Sequence, residues 1–203
     1  MKKRFWAYLL GNIILALGIC LNAKANLGMS AIMAIPYGLT DMMGIPIGIT
    51  SFAIYTIMVV LQLVLLGKHF AVSQWLQLVS SFISSLLLQI FDSFIQGPQL
   101  LTGKVSFLLI GILLTAIGAS LTIVSELFPG APDGLANAIG ISLKKGFGIG
   151  KNLLDAMCVL LAAILGLATG QGLLGMGIGT IVAVVLTGQI ISLVHPISLK
   201  MVA

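Results

Sequence analysis

The sequence predicts an all-α membrane protein with six transmembrane helices built as two repeated halves, and three observations support this. Of the 203 residues, 59% are hydrophobic and 7% are charged, whereas a soluble domain carries about 25% charged residues. Apolar runs of about 20 residues, the length that crosses a bilayer, recur along the chain. Several short patterns reappear about one hundred residues later. We therefore expect a polytopic protein with little mass outside the membrane.

Six apolar runs are long enough, or nearly so, to be membrane spans. They cover residues 5–21, 49–66, 75–94, 105–124, 153–168 and 174–194. The first run follows Lys2, Lys3 and Arg4, as in a signal peptide, but it is longer than the apolar part of such a peptide and no small-residue cleavage site follows it. We interpret it as a retained helix.

Two further apolar segments, 29–39 and 134–143, are too short to cross a bilayer. They are interrupted or bounded by Pro36, Asp41, Asp133 and Asn137. At about 1.5 Å per residue, each covers roughly half of the hydrocarbon thickness. The sequence thus predicts two short broken or re-entrant segments, although counting both as spans would give eight. Length favours six.

The positive charge follows the ends of the predicted spans. The net charge is +5, and cytoplasmic loops of membrane proteins are enriched in Lys and Arg. We therefore expect the positive residues to set the orientation of the protein in a bacterial inner membrane, with the N-terminus in the cytoplasm. The expected partner is the lipid bilayer and not a nucleic acid. The six-span and eight-span counts only exchange the sides of Lys68 and Lys104, so charge does not decide between them.

The internal repeat divides the chain into halves 1–100 and 101–203 of one membrane domain. Residues 17–19, Leu-Gly-Ile, align with 117–119, Ile-Gly-Ala, and the Gly-rich turn 44–48 aligns with 146–150. Three spans per half is an odd number, so the second copy would have the opposite orientation. Many secondary transporters have such an inverted repeat, with the substrate site between the repeats near the membrane midplane.

The stretch 130–137, GAPDGLAN, is the first candidate for a binding site. A charge and a proline do not fit a lipid-facing helix, and irregular backbone at membrane depth occurs where it lines a cavity. An acid here suits an amine or a proton, while free N–H groups at a short helix suit an anion. Polar side chains near the broken segments, with two glutamines at equivalent positions of the third and sixth spans, complete the predicted substrate site. Its residues are Asp133, Asn137, Ser30, Tyr37, Asn22, Asn26, Glu126, Gln89 and Gln189.

Alternatives remain for these residues. Glu126, Asp41 and Lys24 suit solvated loop positions equally well, and Gln89 and Gln189 could bond each other across the repeat interface. Lys151 and Asp155 are four residues apart and share a helix face, which predicts a structural ion pair.

Signals for catalysis are absent from the sequence. It contains no HExxH motif, no Walker loop and no nucleophile with an evident base, so we do not expect an enzyme, a metal site or a cofactor. Cys20 and Cys158 fall inside predicted spans, where we interpret them as small buried apolar residues.

Three motifs of the second half resemble the YczE-type family of bacterial integral membrane proteins. They are Ala-Pro-Asp-Gly-Leu at 131–135, Lys151 with Asp155, and Gly-Ile-Gly-Thr at 177–180. Members of the family that this chain resembles share a duplicated half and a Pro-Arg-Asp-Gly-Leu type motif. An Arg-x-x-x-Glu pair follows in those proteins where this chain has Lys and Asp. The resemblance covers nearly the whole chain and implies a membrane location and a transport role, without naming a substrate.

Three functions fit these patterns. The first is a bacterial inner-membrane transporter of a small polar or amphiphilic metabolite, vitamin-like or amine-like compounds included. Whether a coupling ion is its partner stays open. The second is the substrate-binding component of an energy-coupling-factor vitamin importer, which an ATPase module would energise; the Ala-x-x-x-Ala face of such components is absent from this chain. The third is a membrane scaffold or regulator without flux. The substrate, the direction of transport and the oligomeric state stay open.

Overall fold

The computed structural model describes residues 2–170 and 175–202. Within these residues all regular structure is helical, which confirms the predicted all-α class. The α-helices are α1 (Lys2–Lys24), α2 (Ala31–Met43), α3 (Ile47–Leu66), α4 (Leu76–Phe94), α5 (Leu101–Ser125), α6 (Ala131–Ser142), α7 (Gly146–Ala168) and α8 (Ile178–Val202).

Six of these helices, α1, α3, α4, α5, α7 and α8, are long and apolar enough to cross a membrane. The prediction of six spans is therefore confirmed, and the protein is a multi-pass membrane protein. Short 3-10 turns, Gly67–His69 and Val72–Trp75, connect α3 to α4. The predicted start of the last span, residue 174, lies outside the described residues, and α8 begins at Ile178.

The other two helices are short. α2 has 13 residues and α6 has 12, so each is about 18–20 Å long against a hydrocarbon core of about 30 Å. α6 begins after Gly130, whose backbone is extended, and Pro132 lies in its first turn, where the missing N–H costs no helical hydrogen bond. α2 continues through Pro36, which the sequence predicted to interrupt that segment.

The chain forms two compact units, and each draws on both halves of the sequence. The first unit comprises Met1–Ser30, Ser84–Leu127 and Gly175–Ala203, and the second comprises Ala31–Ile83 and Phe128–Leu174. The first unit thus holds α1, α5, α8 and the end of α4. The second holds α2, α3, α6, α7 and the beginning of α4. The division into repeated halves stays a prediction.

In the first unit α1 and α5 pack closely and antiparallel through glycines. A β-carbon added at Gly11 would lie 3.0 Å from the carbonyl oxygen of Gly118, and one at Gly118 would lie 2.7 Å from that of Gly11. A β-carbon at Gly18 would lie 2.8 Å from the carbonyl oxygen of Gly111. Only glycine permits this approach of two backbones, the device by which small residues pack membrane helices.

Two ion pairs in the first unit agree with six crossings rather than eight. Lys24 Nζ, at the end of α1, lies 3.0 Å from Asp92 Oδ1, near the end of α4. If α3 and α4 alone cross between these residues, both lie on one side of the membrane; if α2 also crossed, they would lie on opposite sides. Arg4 Nη1, at the start of α1, lies 2.9 Å from Glu126 Oε2, just after α5. These two residues also lie on one side of the membrane only if α2 does not cross it. Charge patterning could not make this distinction.

Candidate functional site

The polar centre of the second unit begins at the first turn of α6. Gly130 precedes the helix with an extended backbone, and Asp133 is the acidic residue of the first turn. An acid is favourable there because the free N–H groups of a helix start carry partial positive charge. The sequence therefore explains why a helix starts at this point in an apolar chain and why its start carries a carboxylate.

The Asp133 carboxylate is accessible at the surface but partly desolvated by the protein around it. Asp133 is an exposed residue, yet the protein around its carboxyl group desolvates it and thereby raises its pKa above the ordinary value of 3.8. Lys151 lowers that pKa and Asp155 raises it, so both lie within electrostatic range. Among the described residues, none forms a hydrogen bond or ion pair with the Asp133 side chain.

Lys151 does not neutralise Asp133 directly, because it pairs with Asp155. Lys151 Nζ lies 3.2 Å from Asp155 Oδ1, and each side chain is 31% exposed. Both residues follow the start of α7, which packs against α6. With all three groups ionised, two carboxylates share one ammonium group, and the cluster keeps one negative charge.

Tyr55 of α3 supplies a hydroxyl to the same region. Its ring is buried, and its O–H donates to Met33 Sδ at 3.3 Å. A thioether sulfur is a weak acceptor, so this donor is poorly satisfied. Tyr55 lies within electrostatic range of Asp133. Among the described residues, the Asp133 carboxylate thus has no hydrogen-bond or ion-pair partner. The Tyr55 hydroxyl has only a weak acceptor.

Two glutamines fix the first turn of α6. Gln62 of α3 and Gln77 of α4 are fully buried, and Gln62 also donates from Nε2 to the carbonyl oxygen of Ala131 at 3.2 Å. A β-carbon at Gly134 would lie 2.6 Å from Gln77 Oε1 and 2.7 Å from Gln62 Oε1. The amides therefore press against the α6 backbone one residue beyond Asp133, and Gly134 makes room for them.

Comparison with known families gives one result. Residues 2–196 match the model of a family of unknown function, DUF6198. The chain belongs to this family. No curated protein and no solved structure matches it.

The second unit of this DUF6198 protein holds three of the predicted substrate-site residues. Asn137 lies one helical turn after Asp133 on α6 and is exposed, so the two share a helix face. Tyr37 is buried on α2. Asp133 also lies within electrostatic range of Lys151 and Asp155. The sequence predicted these two residues only as a separate ion pair.

The other predicted site residues of this DUF6198 protein lie in the first unit. They are Ser30, Asn22, Asn26, Glu126, Gln89 and Gln189. Asn22 Nδ2 donates to Thr115 Oγ1 at 3.4 Å, whereas its buried Oδ1 has no partner. Glu126 pairs with Arg4. Gln189 is exposed and Gln89 half-buried. One pocket lined by all of these residues stays a prediction.

Sequence reasoning missed Tyr55, Gln62 and Gln77. Each is a polar residue within a long membrane-spanning helix, and polar side chains are costly enough in a membrane to mark interior or functional positions. Applying that rule to α3 and α4 would have found Gln62 and Gln77. No group of three or more potential metal-ligating His, Cys, Asp or Glu residues occurs in the described part of the chain.

Proposed function

We propose that this protein transports a small polar or amphiphilic metabolite across the bacterial inner membrane and binds it at Asp133. The observation that carries the proposal is the partly desolvated Asp133 carboxylate without a hydrogen-bond or ion-pair partner among the described residues. Ionisable groups at membrane depth are costly and mark substrate or ion pathways. A purely structural acid would be expected to have a partner, as Asp155 and Asp92 have.

An inverted repeat is part of this proposal, and the glycine contacts of α1 and α5 support it. Gly11 meets Gly118 while Gly18 meets Gly111, and the members of each sequence pair, 11 with 111 and 18 with 118, are one hundred residues apart. Two copies related by a two-fold axis give such reciprocal contacts. Transporters with inverted repeats bind substrate where the repeats meet.

The residues around Asp133 fit the same relation. Met33, Ser51 and Tyr55 precede Asp133, Lys151 and Asp155 by one hundred positions each. In the second unit α2 packs on α7 and α3 on α6, so both halves contribute to this region. The first half supplies neutral groups and the second supplies charges. Neutral polar groups beside charged ones suit a polar or amphiphilic solute.

The cytoplasmic N-terminus and the likeness to YczE-type proteins belong to the same proposal. The parity of six crossings puts the N-terminus, Lys68, Lys144, Lys145 and Lys200 on one side, and an excess of Lys and Arg marks the cytoplasmic side. The motif at 131–135 supports the resemblance.

A flux assay tests the proposal. Proteoliposomes would be incubated with a defined mixture of small amines, amino acids, polyols and vitamins, and their contents followed by mass spectrometry. We expect at least one compound to enter faster than into protein-free liposomes, and Asp133→Asn to slow its entry at least tenfold. The matched control is Asp41→Asn, since Asp41 is an exposed acid at the end of α2. Entry equal to that of protein-free liposomes, or an Asp133→Asn rate equal to that of the parent, would reject transport through this site. Dependence of uptake on a co-purified ATPase module would instead favour the importer component.

A further inference from the structure

We infer that the ligand of this site is a small organic monocation in which an ammonium group lies close to a hydrogen-bond acceptor, the chemistry of an amino alcohol. The inference rests on the proposed binding role of Asp133. It extends that role by naming the chemical class of the ligand. This class follows from the net charge of the cluster and the hydrogen-bonding capacity of Asp133 and Tyr55.

The charge of the site selects a cation with one positive charge. Asp133, Lys151 and Asp155 sum to one negative charge when ionised, and Lys151 is already engaged by Asp155 at 3.2 Å. An ammonium group at Asp133 would therefore neutralise the cluster without breaking that pair. A dication would leave the cluster with an excess positive charge. A phosphate or carboxylate ligand would face two acids and one occupied base.

The hydrogen-bonding groups select the second feature of the ligand. Asp133 offers acceptor oxygens, and ionised carboxylates form strong bonds to N–H donors. Tyr55 offers an O–H that now has only the Met33 sulfur. Because α3, which carries Tyr55, packs against α6 and Tyr55 lies within electrostatic range of Asp133, one small molecule could use both residues. Exchange of a sulfur acceptor for an oxygen would strengthen the hydrogen bond of the tyrosine.

Three probes of nearly equal size separate these features. Ethanolamine carries both an amine and a hydroxyl, propylamine replaces the hydroxyl with a methyl group, and ethylene glycol lacks the amine. Binding to the protein in nanodiscs would be measured by calorimetry at neutral pH. We expect ethanolamine to bind about tenfold tighter than propylamine, as one hydrogen bond implies, and ethylene glycol not to bind measurably. These comparisons use the parent protein and do not depend on any variant folding.

The variants then assign each feature to a residue. Asp133→Asn should weaken both amines at least tenfold. Tyr55→Phe should weaken ethanolamine to the affinity of propylamine and leave propylamine unchanged. Asp41→Asn and Tyr8→Phe are controls that remove an exposed acid of α2 and the hydroxyl of a tyrosine on α1, and they should change neither amine.

Equal affinity of ethanolamine and propylamine, or no binding of either, would overturn the ligand class. So would a Tyr55→Phe variant that weakens both amines equally. The proposed transport function would survive those results if a different compound entered proteoliposomes in an Asp133-dependent way. Conversely, amine binding that follows the expected pattern without any flux would leave the ligand class standing and reject transport.

Discussion

Gln62 and Gln77 form a closed amide pair inside the second unit. Gln62 Nε2 donates to Gln77 Oε1 at 3.0 Å, and Gln77 Nε2 donates to Gln62 Oε1 at 3.1 Å. Two buried amides that satisfy one another avoid most of the cost of taking polar groups out of water. Because Gln62 also bonds the backbone of Ala131, the pair ties α3 and α4 to the helix that carries Asp133.

Breaking this pair should destabilise the protein. Gln77→Met keeps a similar volume but leaves the Gln62 amide without its reciprocal partner, which costs about 1–3 kcal/mol for an unsatisfied buried group. The double variant Gln62→Met with Gln77→Met removes both amides and should be more stable than the sum of the two single changes predicts. Unfolding free energies in detergent would measure this. Strictly additive effects would show that the amides are not coupled.

Gly134 should not tolerate a side chain. The β-carbon of Gly134→Ala would lie 2.6 Å from Gln77 Oε1, so the amide pair must shift or open, with an expected loss of about 1–3 kcal/mol. The control is Gly148→Ala in α7, where an added β-carbon meets nothing within 4 Å. There alanine should stabilise the helix by up to about 1 kcal/mol. Equal effects at both positions would mean that Gly134 has no packing role. Ligand affinity of Gly134→Ala should fall as well, because Asp133 precedes it directly.

The sequence predicted the spans and the two short segments well, because hydrophobic length is a property of each stretch by itself. The site was harder, since it depends on which helices meet. Asp133 and Asn137 were found from a local break in the apolar pattern. The Gln62–Gln77 pair joins residues on separate helices, and no local pattern indicates that these two glutamines face each other. Asn22 and Glu126 were grouped with Asp133 by position in the sequence, whereas their described partners, Thr115 and Arg4, lie in the first unit.

The Lys151–Asp155 pair should protect the Asp133 carboxylate from Lys151. In Asp155→Asn the ammonium group of Lys151 loses its partner, and Asp133 is a carboxylate within its electrostatic range. Lys151 would then compete with a cationic ligand, and we expect amine affinity to fall about tenfold. Stability should change by about 1 kcal/mol or less, because the pair is partly exposed. The double variant Asp155→Asn with Lys151→Met should recover much of the affinity. Unchanged amine binding in Asp155→Asn would contradict this role.

Labelling of single cysteines can test the six-span topology. With six crossings, cysteine at position 68 should react from the same side of the membrane as the N-terminus, and cysteine at position 104 from the opposite side. With eight crossings the two positions exchange sides. Sealed vesicles of known orientation and an impermeant maleimide would give the answer, with Lys24→Cys as a control. Position 24 should label together with position 104 under six crossings, because the Lys24–Asp92 ion pair joins the same ends of α1 and α4.

The stability of the protein should depend on pH through the Asp133 carboxyl group. Desolvation raises the pKa of this carboxyl above its ordinary value of 3.8, with Lys151 opposing and Asp155 adding to the rise. Tyr55 of α3 lies within electrostatic range of it. The folded protein therefore holds this proton more tightly than the unfolded chain, and stability from this group is lost as pH rises. Asn resembles the neutral acid and has no such loss.

The unfolding temperature of Asp133→Asn should accordingly match that of the parent below the ordinary pKa of 3.8 and exceed it by a growing margin as the pH rises above that value. Other titrating groups are shared by both proteins and cancel in the difference. Asp41→Asn, at an exposed position, should show no such widening. A cationic ligand should narrow the gap by stabilising only the parent, since binding to the folded state alone adds to its stability. A gap that stays constant across this range, or that widens towards low pH, would show that the ionised Asp133 carboxylate is well accommodated in the fold.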